Sequence, residues 1–369
     1  MSDYQVIVIG GGIGGSAAAL RAAQYHLRTA WVLGDRETAK GSRASYVLNI
    51  DNMIGVHEGV LKKPMLEMLG SSCPDALDVL RGHHFHIGTQ AIIDNVRDRL
   101  QEHHTDHVDL VAEKATATRR DGGLYHVDTA SGTLTAPYLV LATGVSDRQP
   151  RIKKLLPSGK TLDDIHWLFP YANHETILYC IRCEGHLTAG VPSAIIGHSP
   201  AAGQVALMLH ERYATTVTLL TNGEQPDLPE KTLRLLQAYG IQVRTERLVE
   251  VRGARREGAL HGFELESGEP VEVRFALVVL GLHRVHNDLA AELGCRLEEG
   301  PERRERHVLV DLHSETTVAD CFAVGDMTTH EDSPIRKQVY TAQEYAVRAL
   351  DRIDGRVRAA RRAAVLQAG

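Results

Sequence analysis

The sequence predicts an α/β protein of two domains, because a strand–glycine turn–helix–strand pattern occurs twice along its 369 residues. β-branched runs that end at a glycine and lead into a helix are typical of buried parallel strands. One domain usually has roughly 100–200 residues, so the length also agrees with two domains. The first copy consists of the strand 5–9, glycines, the helix 16–25 and the strand 29–33, and the second of the strand 193–196, Gly197, the helix 201–212 and the strand 217–220.

The composition excludes other classes of protein. Hydrophobic residues make up 43% and charged residues 24% of the chain, as in an ordinary globular protein. The formal net charge of −6 argues against a general nucleic-acid-binding protein, which needs a basic face. The opening MSDYQVIVIGGG has no basic leader and its apolar run stops at glycines. We therefore expect neither a signal peptide nor a membrane span, and the cytoplasm is the default location.

Further short elements are predicted between and after the two copies. Apolar residues recur at helical spacing over 89–104, and the turn residues 121–123 separate two predicted strands. Residues 57–87 look like an extra segment, and the basic tail after Gly355 is either a surface helix or a frayed end. The other predicted elements are strands at 108–117, 124–129, 138–141 and 320–324, helical pieces at 64–69 and 76–80, and a helix from after Asp326 through Leu350.

The N-terminal glycine turn predicts a dinucleotide phosphate site. Gly10, Gly12 and Gly15 fit G-x-G-x-x-G, in which the glycines permit a tight turn, close approach of the pyrophosphate and close packing of helix on strand. The helix N-terminus then faces the phosphate charge. An acidic residue should end the second strand, roughly 20 positions on. Gly34 occupies that position and Asp35 follows it, so Asp35 is either a ribose ligand or a solvated loop residue.

The pair Cys180 and Cys183 predicts thiol–disulfide chemistry. At this spacing two cysteines can close a small disulfide ring or share a metal, but zinc needs two further ligands and the sequence has no second C-x-x-C. Zinc with nearby histidines, or two buried thiols in a turn, are the alternatives. Arg182 can lower a thiol pKa, and Glu184 and His186 are candidate proton carriers. Beside a dinucleotide-binding fold, the redox role is favoured.

Over most of the chain, the order of the motifs resembles that of the low-molecular-weight thioredoxin reductases and their flavoprotein relatives. VIVIGGGIGG at 6–15 is similar to their FAD-pyrophosphate motif. RASYVLNIDNMIG at 43–55 is similar to their flavin-side loop, with Arg43 in place of the usual glutamine. CIRCEG at 180–185 resembles their redox-active C-x-x-C-D-G, with Glu184 in place of aspartate.

Three further blocks carry the resemblance. Ala142-Thr143-Gly144 matches the family ATG, Gly325-Asp326 matches the late GD of the ribityl and phosphate region, and Lys337-Gln338-Val339 resembles the R-Q-A step beside the flavin ring. Asn52 falls on the flavin-contacting asparagine of the family. The candidate cofactor-binding residues are Gly10, Gly12, Ile13, Gly14, Gly15, Gly34, Asp35, Arg43, Asn52, Ala142, Thr143, Gly144, Gly325, Asp326, Lys337, Gln338 and Val339.

The resemblance implies two Rossmann-like domains, each a three-layer ββα arrangement, with the second inserted in the first. It places the FAD-binding domain at 1–152 and 284–369, including the extra segment 57–87, and a central domain that carries the cysteines at 153–283. It also implies a homodimer, with a thioredoxin-like protein or a small dithiol as substrate.

The central domain departs from the family at its second glycine motif, which binds NADPH in the relatives. Gly197 and Ala202 remain, but Ser199 and Pro200 are bulkier, and proline removes a backbone donor where phosphate would lie. The next strand ends in Thr221-Asn222-Gly223, with neither a basic cluster nor an acidic ribose ligand. NADPH is therefore not the expected electron donor.

We predict an FAD-dependent thiol–disulfide oxidoreductase that works without NADPH and exchanges electrons with a dithiol or disulfide substrate. The alternatives are an NADPH-dependent thioredoxin reductase with an atypical pocket, a ferredoxin-dependent reductase, a dithiol oxidase that uses oxygen, an enzyme with a second FAD in the central domain, and a non-catalytic flavin sensor. The sequence leaves the outer electron donor or acceptor open.

No metal site is predicted. The histidines at 83, 84, 86, 103, 104 and 107 place no clear ligand set on one helical face, so solvated surface histidines are favoured. His283 and His286 lie at the return from the central domain and are candidates to approach the flavin. The remaining cysteines, Cys73, Cys295 and Cys321, are predicted to be buried or incidental thiols.

Overall fold

A computed structural model describes residues 2–50, 52–56, 87–155, 158, 161–300 and 302–368. The chain forms two compact units, of which the first comprises 1–146 and 282–369 and the second 147–281. Both boundaries come slightly earlier than the expected ones after residues 152 and 283. The first is earlier because Ile152 packs into the core of the second unit with Trp167.

The helices and strands are numbered in chain order. The α-helices are α1 (Ile13–Gln24), α2 (Arg36–Lys40), α3 (Thr89–His103), α4 (Phe169–Ala172), α5 (Pro200–Tyr213), α6 (Glu230–Ala238), α7 (Asp288–Glu292) and α8 (Val339–Ala368). The strands are β1 (Val6–Ile9), β2 (Thr29–Val32), β3 (Val108–Val111), β4 (Ala117–Asp121), β5 (Leu124–Thr129), β6 (Gly132–Ala136), β7 (Tyr138–Leu141), β8 (Val145–Asp147), β9 (Ile152–Leu155), β10 (Thr161–Asp164), β11 (Ile177–Leu178), β12 (Ser193–Ile196), β13 (Val217–Leu220), β14 (Gln242–Arg244), β15 (Leu248–Ala254), β16 (Ala259–Leu265), β17 (Pro270–Glu272), β18 (Phe275–Val278), β19 (Leu282–Val285), β20 (Val308–Leu309), β21 (Cys321–Ala323) and β22 (Thr328–Thr329).

The first unit is built on a five-stranded parallel sheet in the order β21-β7-β1-β2-β3. Val6, Val8 and Trp31 face α1, α3 and α8, and the alanines of α1 and α8 allow close packing of helix on sheet. Alternate residues such as Ile7 face the antiparallel meander β4-β5-β6, where Tyr125 is buried. Since successive strand side chains point to opposite faces, one apolar run supplies both cores.

The second unit repeats the same three layers. Its parallel sheet has the order β11-β18-β12-β13-β14. Ile195 faces α5 and α6, and Ile196 faces the meander β15-β16-β17 with Phe263. The predicted α/β class with two Rossmann-like, three-layer domains is therefore confirmed. Among the described residues, no helix has the length and apolar character needed to cross a membrane.

Two element predictions need correction. The single strand at 108–117 is wrong, because β3 ends at Val111 in the parallel sheet and β4 starts at Ala117 in the meander. The helix after Asp326 does not follow directly, because a 3-10 turn and β22 come first. For the tail after Gly355, the surface-helix alternative is confirmed, because α8 continues to Ala368. The extra segment and its helical pieces lie outside the described residues, apart from residue 87.

Candidate functional site

The glycine turn after β1 is packed so closely that side chains are excluded from parts of it. Gly10 has a φ of +127°, and a Cβ there would lie 2.2 Å from the carbonyl oxygen of Ala142. A Cβ on Gly15 would lie 1.9 Å from the carbonyl oxygen of Gly10. That carbonyl accepts a hydrogen bond of 2.9 Å from the Trp31 indole, which also supports the turn. Tight backbone packing therefore requires glycine at both positions.

The middle glycine of the pattern, Gly12, is different, because a side chain at this position would face open space. No atom lies within 4 Å of the Cβ position of Gly12, which begins α1 without a side-chain cap and with no acidic residue in the first turn. Gly14 faces the late motif, since its Cβ would lie 3.4 Å from the Cα of Gly325. An uncapped helix N-terminus beside an open cradle fits the diphosphate of a dinucleotide. The residues present therefore fit FAD.

At the end of β2, Asp35 has a structural task. Its carboxylate accepts hydrogen bonds from the backbone N–H of Thr38 at 2.7 Å and of Glu37 at 3.1 Å, and so caps α2. The hydrogen bonds from Thr38 lower the pKa of Asp35. Gly34 lies against the same threonine, because its Cβ would be 2.6 Å from Thr38 Oγ1. The cap ties Asp35 to its own helix, and no contact here assigns it to a ribose.

The flavin-side loop meets the late motifs of the chain through two side-chain contacts. Arg43 forms an ion pair of 2.6 Å with Asp326, and both side chains are mostly buried. Asn52 donates a hydrogen bond of 2.7 Å from its amide to Gln338 Oε1. These residues are nearly 300 positions apart in sequence, yet all four were predicted as cofactor ligands. The structure thus brings the predicted loop and the predicted late motifs into one place.

Lys337 is a half-buried cation beside this ion pair. It donates a hydrogen bond of 2.5 Å from Nζ to the carbonyl oxygen of Thr328. Burial lowers its pKa to about 8, with Arg43 acting in the same direction and Asp326 opposing it. Val339 follows as the first residue of α8, so the three-residue step lies immediately before and at the start of the helix.

The Ala142-Thr143-Gly144 turn is held by residues that the sequence did not single out as its partners. Thr143 donates a hydrogen bond of 2.5 Å to the carbonyl oxygen of His286, and the backbone N–H of His286 returns one of 3.0 Å to Gly144. The His286 ring contacts the Ser146 hydroxyl at 2.9 Å, and Ser146 donates to the carbonyl of Gly41 at 2.7 Å. Burial lowers the pKa of His286. That His286 approaches the flavin stays a prediction.

In the second unit, Cys180 and Cys183 form a disulfide with an S–S distance of 2.11 Å. The pair follows the end of β11 in a tight turn, where the N–H groups of Cys183 and Glu184 donate to the carbonyl of Cys180. The N–H of Cys183 also lies 3.2 Å from Cys180 Sγ. Gly185 is buried next in the chain, and a Cβ there would lie 2.9 Å from the Tyr213 ring. The turn is therefore closely packed on α5.

Glu184 holds the beginning of the same turn. Its carboxylate accepts hydrogen bonds from the N–H groups of Tyr179 at 3.1 Å and Cys180 at 3.2 Å. The Tyr179 hydroxyl in turn donates to Gln149 at 2.5 Å. Since the carboxylate is bound to backbone, positioning the disulfide is a task that the proton-carrier prediction missed. The sequence signal that could have indicated it is a carboxylate four residues after a turn-forming cysteine.

The other polar residues of the turn face outward. Arg182 and His186 are both exposed, and His186 lies in the 3-10 helix Gly185–Thr188. His174 is exposed as well, and its ring nitrogen contacts the carbonyl of Pro170 at 2.7 Å. Among the described residues, no group of three or more histidine, cysteine or acidic side chains could hold a metal ion. Cys73 and the histidines at 83, 84 and 86 lie outside those residues.

The second glycine turn is filled by its own residues. Ser199 caps α5, because its hydroxyl accepts from the N–H of Ala202 at 3.4 Å and its carbonyl accepts from the same group at 3.0 Å. Pro200 is the first helical residue and has no N–H. Two backbone N–H groups that would face a phosphate in an open turn are therefore not available: that of Ala202 is occupied, and Pro200 has none. Gly197 keeps its close approach, with a Cβ position 2.4 Å from the carbonyl of Val279.

The end of β13 is also occupied by the protein itself. The Asn222 side chain donates to the carbonyl of Arg151 and accepts from the N–H of Leu248, each at 2.9 Å. Arg247 lies over Gly223, with its Cγ 2.6 Å from the position that a Cβ would take. In a Rossmann unit, the cofactor ribose binds at the end of this second strand. The sequence showed the missing ligands here but could not show what fills the place.

A phosphate cradle on one parallel sheet and a disulfide turn on a second define a dinucleotide-dependent disulfide oxidoreductase architecture. The chain belongs to the pyridine nucleotide-disulphide oxidoreductase family, whose model matches residues 4–346. Proteins of this family are flavoproteins and disulfide oxidoreductases, and the predicted place of the chain among thioredoxin reductase-like flavoproteins is confirmed.

Two relatives and one solved structure illustrate the similarity. The chain is 25% identical over 364 residues to a component of the alkyl hydroperoxide reductase of Escherichia coli; the match covers 96% of this chain but only 58% of that longer protein. It is 22% identical over 333 residues to the thioredoxin reductase of Treponema pallidum, covering 88% and 89%. The structure of thioredoxin reductase from Streptococcus pyogenes superposes with a TM-score of 0.71 at 16% identity, covering 96% and 98%, which shows a shared fold.

Proposed function

We propose that this protein is an FAD-dependent thiol–disulfide oxidoreductase that exchanges electron pairs with a dithiol or disulfide substrate and does not use NADPH. The disulfide between Cys180 and Cys183 carries the proposal. It is the one bonded cysteine pair among the described residues, and the chain belongs to a family of flavin-dependent disulfide oxidoreductases. FAD, when bound, supplies the two-electron acceptor and donor for this pair.

In this proposal, residues of the first unit hold FAD, and residues of the second unit hold the disulfide. Gly12, Ile13 and the first turn of α1 bind the diphosphate through backbone N–H groups, while Arg43 and Asn52 orient the flavin-side loop on the late motifs. Glu184 fixes the backbone before the disulfide. His186 is exposed at the same turn and carries protons between the solvent and the cysteine pair.

The hydrogen bond to Cys180 supports different roles for the two sulfurs. The N–H of Cys183 stabilises a thiolate at Cys180, so Cys180 attacks a substrate disulfide. One substrate sulfur joins Cys180 and the other leaves as a thiolate. Cys183 then attacks Cys180, the mixed disulfide breaks, and the second substrate thiol is released. The substrate gains two electrons, and the cysteine pair returns to its disulfide; a dithiol substrate runs the sequence in reverse.

The filled second turn supports the absence of an NADPH step. Ser199 and Pro200 remove two phosphate donors, and Asn222 and Arg247 occupy the place of the ribose. The same contacts argue against a second FAD in this unit. We therefore propose a thioredoxin-like protein or a small dithiol as the partner of a cytoplasmic homodimer, with electrons delivered or removed by a carrier other than NADPH.

The test is an anaerobic titration of the FAD-loaded protein. Dithiothreitol should bleach the flavin absorbance of the natural protein and of the matched control Cys73→Ser, but not that of Cys183→Ser. Unchanged bleaching of Cys183→Ser would overturn the thiol–disulfide scheme. NADPH should leave the absorbance unchanged over the same time, and rapid bleaching would overturn the NADPH-independent form of the proposal.

An NADPH-dependent reductase is the second candidate, favoured by the close approach of Gly197 to Val279 that a nucleotide-binding turn requires. It predicts bleaching by NADPH in the same experiment. Oxygen uptake with a dithiol as the only reductant would instead identify an oxidase.

A further inference from the structure

Two cysteines outside the disulfide turn lie in contact inside the first unit. Cys321 is the first residue of the edge strand β21 and has no exposed surface, and Cys295, shortly after α7, is 5% exposed. Both side chains belong to one buried cluster, and each thiol shifts the pKa of the other. Cys295 Sγ also lies 3.4 Å from Thr316 Oγ1, and the N–H of Thr316 donates to the carbonyl of Cys321 at 2.8 Å. The two thiols therefore lie beside Thr316 in one buried pocket of the first unit.

This pocket is separate from the cofactor cradle. Cys321 stands at the amino end of β21, whereas Gly325 and Asp326 follow its carboxyl end. Four residues of extended chain span roughly 13 Å, so the thiols are too far from the cradle for direct exchange with a group bound there. Any change in their oxidation state must come from another oxidant.

We propose that Cys295 and Cys321 are a second oxidisable dithiol, which hydrogen peroxide, a small neutral oxidant, closes to a disulfide. Cys295 Sγ attacks one peroxide oxygen, the O–O bond breaks, and the thiol proton leaves in water as a sulfenic acid forms. Cys321 Sγ then attacks that sulfur, the S–O bond breaks, and a second water carries away its proton. The two sulfurs lose two electrons, and the peroxide gains them.

The surroundings assign the first step to Cys295. Cys295 is the more exposed of the two, and the neighbouring Cys321 lowers its pKa, whereas Cys295 and burial raise the pKa of Cys321. The resulting disulfide would tie the segment after α7 to the edge of the central sheet. It would thus be a cross-link within the FAD-binding unit, independent of the Cys180–Cys183 exchange.

The test uses the full-length, FAD-loaded protein with Cys73, Cys180 and Cys183 all changed to serine. Of the five cysteines, only Cys295 and Cys321 then remain. After treatment with hydrogen peroxide and removal of any protein that has lost FAD, the chain is unfolded in iodoacetamide and its intact mass is measured. We expect a mass lower by two hydrogen atoms with neither cysteine alkylated, and alkylation of both after dithiothreitol.

The matched control adds Cys321→Ala, which should stop at a dimedone-reactive sulfenic acid on Cys295 and form no intramolecular disulfide. If that variant does not retain FAD, peptide mapping of the peroxide-treated natural protein replaces it and should show the 295–321 cross-link. Two alkylated cysteines after peroxide treatment, or a cross-link only in protein that has lost FAD, would overturn the proposal.

Discussion

A methyl group added at Gly12 should separate FAD binding from folding. Gly12 has a φ of −85° and a ψ of −171°, which any residue adopts, and its Cβ position has no neighbour within 4 Å. Gly12→Ala should therefore leave the flavin-free protein as stable as before, or slightly more stable because the unfolded chain loses freedom.

The loss of affinity can be estimated from the contacts that the methyl group would displace. It would occupy the open side of the turn, where the diphosphate meets the uncapped start of α1. Hydrogen bonds to a charged group contribute about 1.5–3 kcal/mol each, and displacing one or two gives a loss of roughly 2–4 kcal/mol. That corresponds to FAD binding weaker by about 30- to 700-fold.

Gly15→Ala is the matched control, because its Cβ would lie 1.9 Å from the carbonyl oxygen of Gly10. We expect it to lower the thermal midpoint of the flavin-free protein, since backbone must move to relieve the clash. The assay pairs thermal unfolding without FAD with a titration of the quenching of FAD fluorescence. If Gly12→Ala bound FAD within about threefold of the natural protein, the assignment of this cradle to the diphosphate would be refuted.

Three further predictions concern single side chains. Glu184→Ala should destabilise the protein to urea by about 1–3 kcal/mol, because two backbone N–H groups lose their acceptor, whereas Glu184→Gln should lose less. Arg356→Ala should cost a similar amount, since Arg356 binds both carboxylate oxygens of Glu315, at 2.6 and 2.7 Å. Burial raises the pKa of Glu315, but the hydrogen bonds from Arg356 and the neighbouring backbone outweigh burial, so the pKa is lowered. The stabilisation by the Arg356–Glu315 pair should therefore fade as pH falls below 4.5. Lys337→Met should flatten the pH dependence of thermal stability in the flavin-free protein. The unfolded chain binds more protons between pH 8 and 10.5, so the natural protein should gain up to about 3 kcal/mol over that range.

Each of these has a contrary result. Equal losses for Glu184→Ala and Glu184→Gln would show that the acceptor oxygen does not carry the effect. An Arg356→Ala variant that keeps the acid sensitivity of the natural protein would remove Glu315 from the account. A Lys337→Met variant with an unchanged alkaline profile would do the same for Lys337.

Local patterns were sufficient for much of the fold. Strand and helix positions in both βαβ units follow from short apolar runs, glycine turns and helical spacing, which depend only on neighbours in sequence. The predictions were wrong where a partner strand decides the outcome. Residues 108–117 were predicted as one strand, but Val111 and Ala117 belong to strands of different sheets.

The candidate site divides in the same way. The order of the motifs located the phosphate turn and the cysteine pair, but the contacts that hold them were not visible. Arg43 pairs with Asp326 and Asn52 with Gln338 across nearly the whole chain. Glu184 was predicted as a proton carrier, and only the backbone around it shows that it holds two N–H groups.

The sequence alone thus determined the α/β class, the doubled βαβ pattern, the glycine turn at Gly10–Gly15 and the redox pair. These rest on spacing and residue type within a few positions. Only the tertiary structure decided that Asn222 is hydrogen-bonded within the protein, that Arg247 lies over Gly223, and that Cys295 and Cys321 lie in one buried cluster. Such contacts join residues that are distant along the chain, and a sequence pattern carries no record of which distant side chains share a space.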